Sequence, residues 1–387
     1  MYNSLPAELW RQIFAAAVRP CGHAQRVQAT GDDDGDPFNL ADPYSLRDSL
    51  NTKLALCLVS KSFNSFATEF LYECIHFTYD GLNTAIRLST RGGANKLWWT
   101  KVLELRFCYT MGSSVASVAH LLTKCVNLRL LVFASPTMGP EAGLDQAGTV
   151  YRSLPRSVRA IRWDIGDLPI FQCIPTTVLD NICQMSIESG TVMPTSALTL
   201  PRLTHFRAKD IFAPTNLIFP ALRTVCLVTW QRDKELESSP LGLFIQSYAK
   251  QITTLQIESV GSYEVDFPVP LIDCCTNLAT LKYNPFLVRI RNPPQSIDPN
   301  AIQHTRLTRV YLCYSPGVEL VTSLTGPWEA NYTWLLNGGF PALKHIIVLR
   351  SCVIGLLEGQ VVPQVVRIIG AWTDPRVTFE CGVSACT

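Results

Sequence analysis

Two segments decide how the chain begins: Ser4–Val18, SLPAELWRQIFAAAV, and, after a polar interruption, Leu54–Phe77, LALCLVSKSFNSFATEFLYECIHF. In the first, Leu5, Leu9 and Ile13 recur every four residues with Phe14 beside them, which makes one helical face apolar. Pro6 suits a first helical turn, where its missing N–H has no partner to lose. Glu8 complements the positive end of the helix dipole, and Pro20 with Gly22 closes the segment. In the second, Val59, Phe63, Phe66 and Phe70 share a helical face. Leu54 and Leu58 form a shorter stripe ahead of it, and Ser60 sits where one helix hands over to the next. Either half alone is an ordinary amphipathic helix.

The combination carries more information. An apolar-Pro-x-Glu-Leu start, the LVSKSFNSFA sequence and a LYE exit into IHF together resemble the F-box family, a small helical docking module. The resemblance implies that Leu5, Pro6, Leu9 and Ile13, with Leu56, Val59 and Ser60, contact a Skp-type adaptor held on a cullin scaffold. It also implies that Phe63, Phe66 and Phe70 form the module's own core. One departure from the family stands out. Residues 20–50 replace a short link with a Gly-, Asp- and Pro-rich insert lacking apolar periodicity, expected to be a solvated, mobile loop. Loop closure grows costlier only slowly with length, so packing of the helices tolerates it.

From Val102 onward an apolar-x-x-apolar-x-apolar pattern returns, starting at Val102, Leu128, Val158, Ile182, Leu203, Leu222, Ile252, Leu278, Leu307 and Leu343. The mean step is about 27 residues, within the leucine-rich-repeat range. Single matches decide nothing in so apolar a chain, and the flanks carry the weight. LPRLTHF, FPALRTV and FPALKHI share an apolar-Pro-x-Leu entry, with LPRSVRAI as a variant. LTKCVNLRLL and LIDCCTNLATL share a second entry, with Asn just before the leucine. These recurrences resemble irregular leucine-rich repeats of the kind that follow F-boxes in large fungal families. SSVASVAHLLTKC and SPLGLFIQSYAK have helical spacing, and NYTWLLNGG ends in a Gly pair expected after a helix. The usual asparagine after the strand is missing, so backbone or water must satisfy the turns. The expected fold is therefore α/β: an N-terminal three-helix F-box over 1–77, a connecting segment over 78–100, and an irregular leucine-rich-repeat solenoid with a parallel sheet over 101–387. The competing architecture is a two-layer α/β domain whose strands merely look repetitive.

Side chains alternate along a strand, so the residues between the apolar positions are expected on a solvated sheet face. Arg106, Arg162, Arg207 and Lys282 fall there, amid Ser186, Gln256 and Tyr311. Arginine clamps carboxylate or phosphate in bidentate fashion, which makes these four the candidate contacts to a target protein. The alternative is a face that carries charge for solubility.

Composition narrows the function classes. The 387 residues are 47% hydrophobic and only 17% charged, and 33 basic against 31 acidic residues leave +2. That balance favours neither nucleic acid nor an anionic membrane as partner. No segment has the unbroken apolar length of a membrane span, and the start lacks the basic and apolar regions of a secretory signal. A cytoplasmic and/or nuclear location is expected. The 14 cysteines are scattered without CxxC pairs, and Cys57, Cys226 and Cys313 lie in apolar stretches, where thiols pack as small hydrophobes. The six histidines show no local carboxylate or thiol partner. GDDDGD at 31–36 fails as a calcium loop, because Pro37 and Pro43 take the positions needing Gly and Glu. No catalytic residue, cofactor or metal is expected. The resemblance implies a substrate-recognition subunit of a cullin-type ubiquitin ligase that works by proximity. The alternatives are a repeat scaffold without a ubiquitination role and an α/β enzyme of unrecognised type.

Overall fold

The computed structural model describes residues 5–18, 43–78, 96–106, 115–134, 144–163, 170–187, 194, 196–209, 216–229, 240–259, 265–284, 288–291, 305–313, 340–350 and 378–383. It is an α/β fold built on parallel strands, in two compact units: Met1–Leu203 with Asn216–Pro220, and Thr204–Thr215 with Ala221–Thr387.

The first unit opens with three helices, α1 (Ala7–Val18), α2 (Pro43–Val59) and α3 (Lys61–Glu73). Residues 43–50, expected within the loop, are helical: the insert's Pro43 occupies the first helical position, where its fixed φ assists initiation. The rest of the insert, including GDDDGD, lies outside the described residues. Ser60 separates α2 from α3 in extended conformation, and its Oγ accepts the Phe63 N–H at 3.1 Å, capping α3. Phe14 is buried where Trp10, Phe63 and Phe66 converge, with ring centroids 5.9, 5.0 and 6.4 Å away. Val18 and Ala67 are also buried. Arg11 reaches Glu69 at 3.4 Å, joining α1 to α3.

The sheet starts without a spacer. Helix α3 ends at Glu73 and β1 (Cys74–Thr78) begins at the next residue, well ahead of the boundary expected at 101. β1 pairs in parallel with β2 (Val102–Arg106), which pairs with β3 (Leu130–Ala134), then β4 (Ala160–Trp163), then β5 (Gln184–Ile187). A 3₁₀ turn at Lys96–Trp99 precedes β2, and helices α4 (Val115–Lys124) and α5 (Leu144–Arg152) follow β2 and β3. Leu103, Leu105, Leu131, Phe133, Ile161 and Trp163 fill the core, and an edge-on ring series Phe133–Tyr151–Trp163–Phe171 runs through it at 5.7, 5.7 and 6.2 Å. A two-residue ladder pairs Leu198–Thr199 with Leu217–Ile218.

Among its described residues the second unit has seven parallel strands each beside its predecessor, β6 (His205–Lys209), β7 (Thr224–Thr229), β8 (Thr254–Ser259), β9 (Thr280–Tyr283), β10 (Arg309–Cys313), β11 (His345–Arg350) and β12 (Thr378–Val383), and a separate parallel pair, Val265–Pro268 with Val288–Arg291. Helix α6 (Pro240–Tyr248) lies between β7 and β8 in sequence; its Phe244 packs on Phe206 at 5.4 Å. Phe206, Val225, Leu227, Leu255, Ile257, Leu281 and Tyr283 are buried.

All ten sequence windows contain one of these strands, and nine of them begin two residues before the strand does. The entry motifs have a physical basis. In LPRL and FPAL, Leu203 N–H returns to Leu200 O at 3.3 Å and Leu343 N–H to Phe340 O at 3.1 Å. Pro201 and Pro341 thus stand second in a tight turn, where proline's fixed φ fits. The asparagines of the other entry bind backwards: Asn127 Nδ2 donates to Trp98 O at 2.9 Å and Asn277 Nδ2 to Lys250 O at 2.6 Å. Backbone completes the turns, as the missing strand-end asparagine requires. One carbonyl before each strand accepts two N–H groups from the next entry: Lys101 O from Arg129 and Leu130, Arg129 O from Arg159 and Ala160, Arg223 O from Thr253 and Thr254, Ala279 O from Thr308 and Arg309.

The remaining window, the first, was misframed. β-Pairing aligns Val102 with Leu130, so the counterpart of Leu128 is Thr100, a polar residue invisible to an apolar pattern. The row position of Arg162 therefore belongs to Val132, Glu104 and His76, while Arg106 stands two residues further on, beside Thr78 and Ala134.

Candidate docking surface

The exposed apolar residues of the three helices form stripes. On α1 and its approach, Leu5, Leu9 and Ile13 are 42–44% exposed, and Pro6 is exposed with them. On α2, Leu50, Leu54 and Leu58 are spaced by four and exposed, Leu58 by 86%, and Val59 follows at 62%. Leu56 is half-buried. α1 contacts both α2 and α3, so these stripes belong to one small bundle whose buried side is the Phe14 cluster. Helical spacing explains the split: Phe14 and Val18 turn inward while Leu5, Leu9 and Ile13 turn outward on the same helix. Apolar surface of this kind stays costly in water until something covers it.

The seven residues expected to contact an adaptor lie on α1 and its approach and at the end of α2 up to Ser60, Leu56 among them half-buried. Ser60 is exposed, but its hydroxyl caps α3 and holds the α2–α3 corner. Phe63, Phe66 and Phe70 are half-buried, and Phe14 and Trp10, which sequence reading gave no inward role, complete the aromatic centre.

The four expected target contacts are placed differently. Arg162 is half-buried on β4, and Arg106 lies on β2 outside the row of the others. In the second unit, Arg207 Nη2 meets Glu258 Oε2 at 2.7 Å, and Gln256 Nε2 reaches the other carboxylate oxygen at 2.5 Å. Lys282 is buried, its Nζ 4.9 Å from the Tyr311 ring centroid. The expected solvated face is thus internally paired in this part. In the first unit part of it is buried: Val102, Leu130, Val132 and Ala160 form an apolar cluster on that face, with Cys74 packed against it.

The expectation that the histidines show no local carboxylate or thiol partner fails at His76, whose local partner is Cys74. Its Nε2 lies 3.3 Å from Cys74 Sγ, and its Nδ1 is hydrogen-bonded to Glu104 Oε2. Glu104 is 1% exposed. Burial on its own lowers the His76 pKa; the hydrogen bonds to Cys74 and Glu104 and their charge outweigh it and raise the value to about 10. The i, i+2 spacing of Cys74 and His76 was visible in sequence, but Glu104 is brought in only by β1–β2 pairing.

Among the described residues no group of three side chains is placed to hold a metal ion, and no helix is long and apolar enough to cross a membrane. Of the cysteines noted in apolar stretches, Cys226 is buried and Cys57 half-buried, both as free thiols. No protein-family model matches the chain, and no curated protein matches it.

Proposed function

We propose that this chain is the substrate-recognition subunit of a cullin-type ubiquitin ligase. In this reading α1–α3 are an F-box that docks on a Skp-type adaptor, and the parallel strands that follow belong to irregular leucine-rich repeats that hold a target protein. The single observation that carries it is the outward pair of stripes Leu5–Leu9–Ile13 and Leu54–Leu58–Val59 on a bundle whose own core is already filled by Phe14. An apolar ridge beside a completed core is suited to a foreign subunit. The recurring strand-entry turns and sequential strand order support the repeat reading. Ubiquitin transfer would then be accelerated by holding the target near a charged enzyme.

The test is co-purification of the full chain with adaptor and cullin, compared with Leu9→Asp/Ile13→Asp. The reading expects a stable complex for the parent and loss for the variant. Absence of adaptor binding by a folded parent protein would refute it. Accumulation of captured targets on proteasome inhibition distinguishes a ligase subunit from a repeat scaffold.

A further inference from the structure

The proposed docking role makes no use of the group around Cys74. Three strands of observation converge on its sulfur. First, Cys74 and His76 share one face of β1, and the register places Glu104 directly beside His76. The order is nucleophile, imidazole, carboxylate, with the imidazole hydrogen-bonded on both sides. Second, Lys53 of α2, a helix packed on α3, is 7% exposed, and its side chain makes no hydrogen bond among the described residues. A lysine this buried is rare without a paired anion. Burial lowers its pKa, while the charges of Cys74 and Glu73 pull the other way. Glu73 is bound to Lys101 at 2.8 Å. Third, Cys74 is only half-buried, and His76 keeps 30% of its side chain in solvent, so a small reagent can reach the pair.

The geometry points to Cys74 as a covalent modification site for hydroperoxides, with His76 as proton donor and Glu104 and Lys53 as positioning residues. The thiolate is the reactive form of a cysteine, and the His76 Nε2, 3.3 Å from the sulfur, is placed to take up the thiol proton. In the step, the Cys74 sulfur attacks the terminal oxygen of a hydroperoxide, an S–O bond forms and the O–O bond breaks. Sulfur loses two electrons to the peroxide. The departing alkoxide or hydroxide takes the proton from His76 Nε2 and leaves as alcohol or water, so Cys74 becomes a sulfenic acid and His76 a neutral imidazole still bonded to Glu104. The buried apolar cluster of Val102, Leu130, Val132 and Ala160 packs against Cys74 and backs the thiol on its inner side.

The experiment uses the reduced full chain, substoichiometric hydrogen peroxide at pH 7, a cyclic dione that traps sulfenic acid, and peptide mass spectrometry. Cys74 is expected to be labelled about tenfold faster than the half-buried thiols Cys57, Cys173 and Cys183. His76→Gln keeps a side-chain donor for Glu104 but forms no imidazolium, and should slow Cys74 about tenfold while leaving the comparison thiols unchanged. Lys53→Met should slow it by a smaller factor. Equal labelling of Cys74 and Cys57 in the parent protein overturns the assignment without any variant. A parent-like rate in folded His76→Gln overturns the role of the imidazole.

Discussion

Replacing His76 by leucine should destabilise the first unit more than replacing Glu104 by leucine, and replacing both should nearly restore it. The reason lies in unequal burial. Glu104 is 1% exposed, whereas His76 retains access to water. Removing the imidazole leaves a buried carboxylate without its cation, a loss of about 3–5 kcal/mol. Removing the carboxylate lets the imidazole discharge and turn outward, about 1–3 kcal/mol. The pKa supplies a second check on size. A rise from 6.5 to about 10 corresponds to at most about 5 kcal/mol, reduced to about 3 by solvent screening at His76. Its sign follows from the folded value being the higher one: the stabilisation is fully present below about pH 6.5 and is lost as pH rises through about 10. Thermal melts at pH 7 should fall by about 6–15 °C for His76→Leu and by less for Glu104→Leu, and the double variant should lie within about 1 kcal/mol of the parent. Loss of stability between pH 8 and 10.5 should vanish in the double variant. A Glu104→Leu protein less stable than His76→Leu, or two variants whose effects simply add, would refute the reasoning.

Other outcomes follow from single features. Leu58→Glu, on a side chain 86% exposed, should leave the melting temperature within the effect of about 0.5 kcal/mol while abolishing adaptor capture. Ser60→Ala should cost about 1 kcal/mol through loss of the α3 cap, read by urea titration, with Ser60→Asp close to the parent. Burial raises the Asp273 pKa to about 6, so stability from this group falls as pH rises from about 4 through 6; Asp273→Asn should flatten that slope and stabilise by about 1–2 kcal/mol at pH 7.5. Asn277→Ala should cost about 1–2 kcal/mol, because the Lys250 carbonyl loses its donor and Arg306 its acceptor.

Strand positions were legible because the apolar residues of each window, such as Leu131 and Phe133 or Leu255 and Ile257, are the ones that turn into the core. The first window failed for a local reason. Thr100 takes a position that leucine, isoleucine or valine holds elsewhere, so the pattern locked onto Val102 and carried Arg106 out of its row. The character of the opposite face was not legible, because alternation says which side chains point the other way and nothing about what they meet there. Val132 and Lys282 look alike in that respect, and both are buried. Helix α2 began earlier than apolar spacing suggested, since a proline start leaves no periodic signal over its first turns. In the N-terminal bundle, spacing marked Leu5, Leu9 and Ile13 as one apolar stripe and the family resemblance gave them an outward role, whereas Trp10 entered the aromatic centre by tertiary contact with Phe63.

The absence of any residue between Glu73 and Cys74 has a mechanical result. With no hinge at that junction, and with Lys101 tying Glu73 to the approach of β2, the bundle and the leading strands move as a single bracket. Whatever seats itself on the outer leucines inherits a fixed bearing towards those strands, so the spatial reach of an attached assembly would be set by covalent geometry and not by a tether.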